Sequence, residues 1–240
     1  MSSIAIITAR GGSKRIPKKN IKDFCGKPII AYSIEAALKS GIFDEVMVST
    51  DSEEIAQIAR KYGASVPFMR SETTSNDYAT TADVILEVID EYKKLGKEFD
   101  DFTCIYPTAP FVTEAKLIDA YSLLQNDNAD SVVSVVKYDF PPQRAFVIRN
   151  NMLQFQYPEC RDSRSQDLEP IYHDCGQFYI CKTSAFMKAK SLLTDRSAPY
   201  FLNPEEVQDI DNQSDWNLAE IKYSTFAKIE EQKGLDDGTL

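Results

Sequence analysis

The sequence contains no long hydrophobic run and has little positive charge. No apolar stretch approaches the roughly 20 residues of a membrane-spanning helix, and the short one near the N-terminus precedes the basic residues, the reverse of a secretory signal. Lysine and arginine number 27 against 37 aspartates and glutamates, for a formal net charge of −10. We therefore expect a cytoplasmic protein that binds neither membranes nor nucleic acid, since both need positive charge over a whole face.

Several motifs of common catalytic classes are also missing. The chain has neither the G-x-x-x-x-G-K-[ST] phosphate loop nor the G-x-G-x-x-G dinucleotide fingerprint, so P-loop NTPases and dehydrogenases are disfavoured. Its single histidine, His173, stands beside Asp174, but without a G-x-S-x-G motif this pair does not indicate a hydrolase. The five cysteines form no C-x-x-C pair and predict free thiols in a reducing compartment, without structural zinc.

What is present is a regular alternation of strand and helix patterns. Apolar runs predict strands over residues 3–8, 45–50, 65–69, 102–106 and 131–137. Helix start signals lie at Pro28, at Asp51 or Ser52, at Thr81 and at Thr113. This order predicts one α/β domain with a mainly parallel sheet and helices on both faces. Such sheets bind ligands beyond the carboxyl ends of their strands.

The alternation breaks over residues 138–170, a polar stretch that contains Pro141, Pro142 and Pro158 and only short strand patterns. A connection of this length is uncommon inside a compact domain, so it predicts a lid, a binding loop or an oligomerisation arm. We call it the arm. The sheet is expected to resume over residues 177–181, and a final helix to run from Ser214 to about residue 232.

Residues 10–20 form a strongly basic segment in this acidic chain, which we call the basic loop. Its cations are Arg10, Lys14, Arg15, Lys18 and Lys19. Gly11 and Gly12, followed by Ser13, would allow backbone N–H groups to approach an oxyanion that the cations neutralise. A triphosphate matches this charge density. The alternative is a solvated basic loop without a ligand, which its position directly after a buried strand disfavours.

A second candidate group is Asp209 and Asp211, just before the final helix. Side chains two positions apart in an extended segment point the same way, so the pair would offer hard oxygen ligands to one cation. Magnesium is the natural choice beside a triphosphate. The alternative is that one aspartate begins a turn and the other caps the helix, for which Ser214 and Asp215 are also available.

The residues quoted next resemble a known family. The segment ARGGSKRIPKKNIKDFCGKPIIAYSIEAALKSG, with VSTDSEEIAQIARKYGA, PTAP, GQFY and DIDNQSDW, resembles the CMP-sugar synthetases of the CMP-sialic acid synthetase group. The match runs through most of the chain. Within that group, DFPPQRA and DCGQFY are most similar to the pseudaminic acid cytidylyltransferases of bacterial flagellin glycosylation.

The resemblance implies a three-layer, Rossmann-like nucleotide-diphospho-sugar transferase fold. It implies a single domain over residues 1–240, a homodimer formed through the arm, and Mg²⁺-dependent reaction of CTP with a nine-carbon acidic sugar. Matched by position, the expected catalytic residues are Arg10, Lys19, Asp209 and Asp211, the aspartates being metal ligands. The expected nucleotide-binding residues are Arg10, Gly11, Gly12, Ser13, Lys19, Asn20, Arg70, Thr80 and Thr81. The expected sugar-binding residues are Tyr106, Thr108, Gln143, Arg144, Arg164, Tyr172, His173, Asp174, Gln177 and Tyr179.

The chain departs from the sialic acid enzymes at sugar-binding positions. Where they carry a glutamine before P-T-[SA]-P and an asparagine-glycine pair before the later strand, this chain has Tyr106 and Cys175-Gly176. These differences favour pseudaminic acid, with legionaminic and N-acetylneuraminic acids as alternatives. A sugar 1-phosphate nucleotidyltransferase and a non-catalytic nucleotide-binding regulator are further alternatives. No residue identifies itself as the general base.

Overall fold

The computed structural model of the protein describes residues 2–126 and 128–237. The strands in these ranges are β1 (Ser3–Thr8), β2 (Asp23–Phe24), β3 (Lys27–Pro28), β4 (Glu45–Ser49), β5 (Asp101–Ile105), β6 (Ser131–Lys137), β7 (Phe146–Arg149), β8 (Met152–Phe155), β9 (Tyr172–Lys182) and β10 (Ser197–Phe201). The α-helices are α1 (Ile29–Ser40), α2 (Glu53–Lys61), α3 (Glu72–Ser75), α4 (Thr81–Lys94), α5 (Glu114–Asn126), α6 (Thr183–Ala189) and α7 (Gln213–Asp237). Short 3-10 turns cover Lys19–Ile21, Pro142–Arg144, Pro158–Cys160, Ser165–Asp167 and Pro204–Glu206. Within the described ranges, no helix has the length and apolarity that crossing a bilayer requires.

The central sheet has six strands in the order β10-β6-β9-β5-β1-β4. Its neighbours are parallel except at β9, which runs antiparallel to both β5 and β6. The mainly parallel sheet is therefore confirmed, and the reversed strand is an addition to it. β9 begins at Tyr172 rather than at residue 177, because its first residues pair with the end of β6. The strand predicted over residues 65–69 is wrong, since Ser65 makes only an isolated bridge to Met47.

Helices cover both faces of the sheet, as predicted. The core on one face joins β1 to α1, α2 and α5 through residues such as Ile7, Ile34 and Leu117. The core on the other face joins β1 to α4 and α6 through residues such as Ile6 and Phe186. Adjacent residues of β1 thus enter different cores, as the two-residue period of a strand requires. The result is the expected three-layer arrangement.

Individual residues account for the ends of α1, α2 and α4. Gly41 ends α1 with a φ of +65°, a backbone region that favours glycine. The Ser52 side chain accepts a hydrogen bond from the Ile55 N–H at the start of α2. At α4 the cap is Thr80 rather than Thr81, because Thr80 and Asp83 each bind the other's backbone N–H.

The first and last residues of the arm lie next to each other at the sheet. Lys137 of β6 pairs with Tyr172 of β9, and the Tyr138 N–H donates to the Ile171 carbonyl at 3.0 Å. Between these ends, β7 and β8 form an antiparallel hairpin. Both ends of the arm therefore lie at the sheet edge where β6 ends.

A compact cluster of aromatic side chains packs the C-terminal helix α7 against β2 and α1. Phe24 lies 5.4 Å, centroid to centroid, from both Trp216 and Tyr223, and 5.7 Å from Tyr32, in edge-to-face geometry. Ile210 is buried in the same cluster. The cluster therefore holds the segment that carries Asp209 and Asp211 against α1 and the basic loop.

We expect Phe24→Ala to destabilise the protein by about 3–5 kcal/mol, because it leaves a cavity among aromatic rings. The measurement is the free energy of unfolding in urea. The control is Leu95→Ala, since Leu95 is 58% exposed. A loss at Phe24 no larger than the loss at Leu95 would contradict the role assigned to the cluster.

Candidate active site

A cavity of about 500 Å³ opens at the edge of the sheet where β1 and β5 end. We call it the first pocket. Thr8 of β1 and Tyr106, which follows β5, line it together with the basic loop, with residues between 70 and 84, and with Asp211. It lies beyond the carboxyl ends of parallel strands, the place that the sequence pattern predicted.

Four cations of the basic loop line the first pocket, and they are Arg10, Lys14, Arg15 and Lys19. Lys18 instead pairs with Glu54 at 2.7 Å. Asn20 is buried, and its Nδ2 donates to the Arg10 carbonyl at 2.9 Å, which ties the two ends of the loop together. Like charges held this close repel one another unless an anion lies among them. The pocket is therefore suited to a polyanion.

The glycines of the basic loop do not line the first pocket. The Gly11 N–H donates to Asp51 Oδ1 at 2.7 Å, and a β-carbon at Gly11 would lie 3.1 Å from the β-carbon of Ser52. Gly11 therefore allows the loop to pack closely against the start of α2, and its N–H is already engaged. Ser13 does line the pocket.

Asp77 supplies a carboxylate to the basic loop. Arg10 Nη1 lies 2.8 Å from Asp77 Oδ1, and the Lys14 amine pairs with the other oxygen. Hydrogen bonds from Lys14 and Arg10 lower the pKa of Asp77, so it is ionised at neutral pH. Asp77 therefore competes with any external anion for these two cations.

Lys19 joins the basic loop to the predicted metal ligands. Its Nζ donates to the Ile210 carbonyl at 2.6 Å. Burial lowers the pKa of Lys19, and the carboxylates of Asp211 and Asp209 oppose that shift. Burial and the Asp211 charge raise the pKa of Asp209. The two aspartates therefore lie close enough to Lys19 for their negative charges to favour its protonated form.

The alternative role for these aspartates, helix capping, belongs to other residues. The Asn212 side chain accepts hydrogen bonds from the N–H groups of Ser214 and Asp215, at 2.8 and 3.1 Å. The Asp215 carboxylate in turn accepts from the N–H groups of Asp211 and Asn212. Asp209 and Asp211 are thus not needed as caps. Asp211 instead pairs with Arg15 at 2.7 Å.

Arg70, Thr80 and Thr81 lie in the wall of the first pocket. Arg70 is buried, donates to the Ser49 hydroxyl and carbonyl, and remains a cation at neutral pH although burial lowers its pKa to about 10. Thr80 is engaged as the helix cap. Thr81 Oγ1 lies 3.1 Å from the Tyr106 hydroxyl. Thr108, predicted to bind sugar, also lines this pocket.

A second cavity of about 690 Å³ lies beside the base of the arm, and we call it the second pocket. It is lined by residues 136–140 and 173–176, by Tyr179, by Asp209 and by Lys222, among others. His173, Asp174 and Tyr179 of the predicted sugar-binding set are therefore brought together. Asp209 faces this pocket, whereas Asp211 faces the first one.

Other predicted sugar-binding residues do not line either pocket. Arg164 pairs with Asp167, Arg144 donates to the Ser163 carbonyl, and Gln143 donates to the Glu169 carbonyl, all within the arm. Tyr172 packs against Phe201 with tilted rings, at a centroid distance of 5.0 Å. Gln177 is 1% exposed inside the sheet. Within this chain, these five residues contact neither cavity.

The structure adds residues that the sequence did not single out. Asp77 belongs to no motif. Its role depends on a contact with Arg10, which lies 67 positions earlier in the chain. Lys222 lies on α7, donates to the Val207 carbonyl at 2.8 Å, and contributes a cation to the second pocket. An isolated charge on a surface helix gives no sequence signal. Among the described residues, no group of three or more histidines, cysteines or acidic residues forms a metal cluster.

The fold is that of the nucleotidyltransferases. A solved structure titled CMP:2-keto-3-deoxy-manno-octonic acid synthetase complexed with CTP superposes with a TM-score of 0.66, at 16% identity, over 95% of this chain and 100% of the other. The sequence profile of the family described as Cytidylyltransferase matches residues 4–232. The chain belongs to this cytidylyltransferase family.

Two curated relatives cover nearly the whole chain. A pseudaminic acid cytidylyltransferase of Campylobacter jejuni subsp. jejuni serotype O:23/36 is 41% identical over 224 residues, 93% of this chain and 97% of the relative. A CMP-N,N'-diacetyllegionaminic acid synthase of Legionella pneumophila is 35% identical over 229 residues, 92% of this chain and 95% of the relative. The resemblance inferred from the motifs is confirmed, as are the fold class and the nucleotidyltransferase class.

Because Asp77 competes for Arg10 and Lys14, we expect Asp77→Asn to strengthen binding of inorganic triphosphate by roughly twofold to fivefold, the range for one exposed ion pair. Isothermal titration calorimetry gives the dissociation constants. Glu54→Gln is the matched control, since it removes the carboxylate paired with Lys18 of the same loop. Unchanged or weaker binding by Asp77→Asn would show that Asp77 does not compete with phosphate.

Proposed function

We propose that the protein transfers the cytidylyl group of CTP to pseudaminic acid, releasing diphosphate, for glycosylation of a bacterial surface protein such as flagellin. The observation that carries this proposal is the position of Lys19, Asp209 and Asp211 between a cationic pocket and a second polar pocket. The first pocket offers the charge that a triphosphate needs. The similarity to pseudaminic acid cytidylyltransferases supports the choice of acceptor.

In the proposed reaction, the anomeric hydroxyl oxygen of the sugar attacks the α-phosphorus of CTP. A carbon–oxygen–phosphorus linkage forms, the bond from the α-phosphorus to the bridging oxygen breaks, and diphosphate leaves with the electron pair. The hydroxyl proton passes to solvent or to a basic group of the substrates. Arg10, Lys14 and Lys19 would neutralise charge that builds up on the phosphate oxygens, which is the main source of rate enhancement in such transfers.

A magnesium ion fits the pair Asp209 and Asp211 in chemistry, since both offer hard oxygen ligands, Asp211 from the first pocket and Asp209 from the second. Two carboxylates are too few for a cage made of protein alone, so phosphate oxygens and water would supply the other ligands, the usual arrangement for this ion. Bound there, the ion would withdraw charge from the phosphates as a Lewis acid. The raised pKa of Asp209 means that its metal binding weakens at a higher pH than that of an ordinary aspartate.

The test is a diphosphate-release assay that combines CTP, UTP, ATP and GTP with pseudaminic, legionaminic, N-acetylneuraminic and 3-deoxy-manno-octulosonic acids. We expect release with CTP and pseudaminic acid. Release with a sugar 1-phosphate instead, or CTP binding without release, would replace the proposal by one of the alternatives.

We expect Asp211→Asn to lower kcat at least 100-fold, because the magnesium ion that would neutralise the phosphates loses a charged ligand. The control is Asp195→Asn, at an exposed position; a variant at 211 with unchanged kcat at ordinary Mg²⁺ would contradict the metal assignment.

We further propose a homodimer formed through the arm, in the cytoplasm, where the free thiols of all five cysteines are stable. Its hairpin exposes large apolar side chains: Phe146, Ile148, Met152 and Leu153 are 56–74% exposed. An apolar surface this concentrated marks a protein interface. Gln143, Arg144 and Arg164 would then lie near a partner's site, which is consistent with their absence from the pockets of their own chain.

We expect the wild-type protein to have a solution mass near twice its 27.1 kDa chain mass. Ile148→Asp should give a monomer, because it places a charge in the apolar surface. Analytical ultracentrifugation measures both masses. Ile221→Asp on α7 is the matched control, since Ile221 is similarly exposed at 66%. A dimer that survives Ile148→Asp, or is lost equally in Ile221→Asp, would argue against the arm as the interface.

A further inference from the structure

The first and second pockets share a wall made of two tyrosines. Tyr106 lines the first pocket and Tyr179 lines the second, and their ring centroids are 5.7 Å apart. Gly176, also in the second pocket, has a φ of +61°, and a β-carbon there would lie 3.7 Å from the Tyr106 ring. The tyrosine pair is thus packed between the two cavities.

The hydroxyl group of each tyrosine has a polar partner in the pocket that the tyrosine lines. On the side of the first pocket, Thr81 Oγ1 and the Tyr106 hydroxyl are 3.1 Å apart. On the side of the second pocket, the Tyr179 hydroxyl donates to Asp174 Oδ2 at 2.6 Å, while Asp174 Oδ1 accepts from the Gly176 N–H at 2.9 Å. Each tyrosine hydroxyl therefore has a hydrogen-bond partner at its own pocket, and the two pairs meet where the tyrosine rings are in contact.

The Tyr179 hydroxyl uses its only proton in the hydrogen bond to Asp174 Oδ2, so it can only accept any further hydrogen bond. Burial raises the pKa of both phenols, so both keep their protons at neutral pH. Thr81 and Tyr106 can each be donor or acceptor to the other, so a ligand that binds the Thr81 hydroxyl fixes which one donates.

We propose that Tyr106 and Tyr179 are positioning residues that couple occupancy of the first pocket at Thr81 to the orientation of Asp174 in the second pocket. This inference rests on the proposed function, in which the first pocket takes the nucleotide and the second takes the acidic sugar. Neither tyrosine takes part in bond making. Their effect is to place the Asp174 carboxylate for the hydroxyl groups of the acceptor once the nucleotide is bound.

The test follows the tyrosines directly by ¹⁹F NMR of protein labelled with 3-fluorotyrosine. The Tyr179 and Tyr121 resonances are assigned by their loss in Tyr179→Phe and Tyr121→Phe. Tyr121 is the matched control, because its hydroxyl also donates to a carboxylate, that of Asp101 at 3.0 Å, away from both pockets. CTP is added without Mg²⁺, and its binding is measured in parallel by calorimetry.

We expect CTP to shift the Tyr179 resonance of the wild-type protein and to leave that of Tyr121 in place. In Tyr106→Phe, CTP should still bind, but the Tyr179 resonance should no longer move. In the enzyme assay, Tyr106→Phe and Tyr179→Phe should raise the KM for the sugar about fivefold, the lower end of ordinary coupling between sites, with the KM for CTP changed less than about twofold. Tyr121→Phe should change neither constant.

A Tyr179 shift that persists in Tyr106→Phe, or an equal shift at Tyr121, would overturn the inference. So would CTP binding to the wild-type protein without any movement of the Tyr179 resonance, and in that case the proposed function would stand. Absence of CTP binding in the calorimeter both without and with Mg²⁺ would overturn the proposed function and the inference together. Thermal unfolding of each variant confirms that the chain is folded.

Discussion

The hydrogen bond from the Lys19 amine to the Ile210 carbonyl joins two segments that lie 191 positions apart in the chain. It places the basic loop beside Asp209 and Asp211. The two carboxylates oppose the lowering of the Lys19 pKa by burial, and the charge of Asp211 raises the pKa of Asp209. The contact depends on the packing of α7, since Ile210 and Trp216 are buried in one cluster with Phe24. The stability of the C-terminal helix is therefore also a condition for the geometry of the site.

The balance of charge around the first pocket explains how an acidic protein can maintain a cationic cavity. Arg10 and Lys14 share Asp77, Arg15 pairs with Asp211, and Lys18 pairs with Glu54. These pairs are largely exposed and individually weak, so a multivalent anion can displace them at small cost. The same arrangement limits repulsion among the cations when no such anion is bound. A permanently buried set of ion pairs would not combine these two properties.

The sequence predicted the parts of this structure that depend on local patterns. Apolar runs located β1 and β6, and the helix start signals located the beginnings of α1, α2, α4 and α5 to within one residue. The reversed direction of β9 could not be predicted, because a buried strand has the same apolar pattern in either direction. Asp77 and Lys222 were missed because their roles come from contacts between distant segments. Gln143 and Arg144 of the arm were predicted by resemblance alone, and within one chain they contact neither pocket.

The reversal of β9 has a consequence for how such a protein can change during evolution. Because β9 enters the sheet at the edge where β6 ends, the whole arm begins at Lys137 and returns at Tyr172, two residues paired with each other. An insertion with such closely spaced ends can be lengthened, shortened or exchanged without moving a strand of the sheet. The first pocket, which opens where β1 and β5 end, lies outside the exchanged segment. The part of the second pocket that residues 138–140 line can therefore be replaced by recombination of one surface segment on an unchanged scaffold.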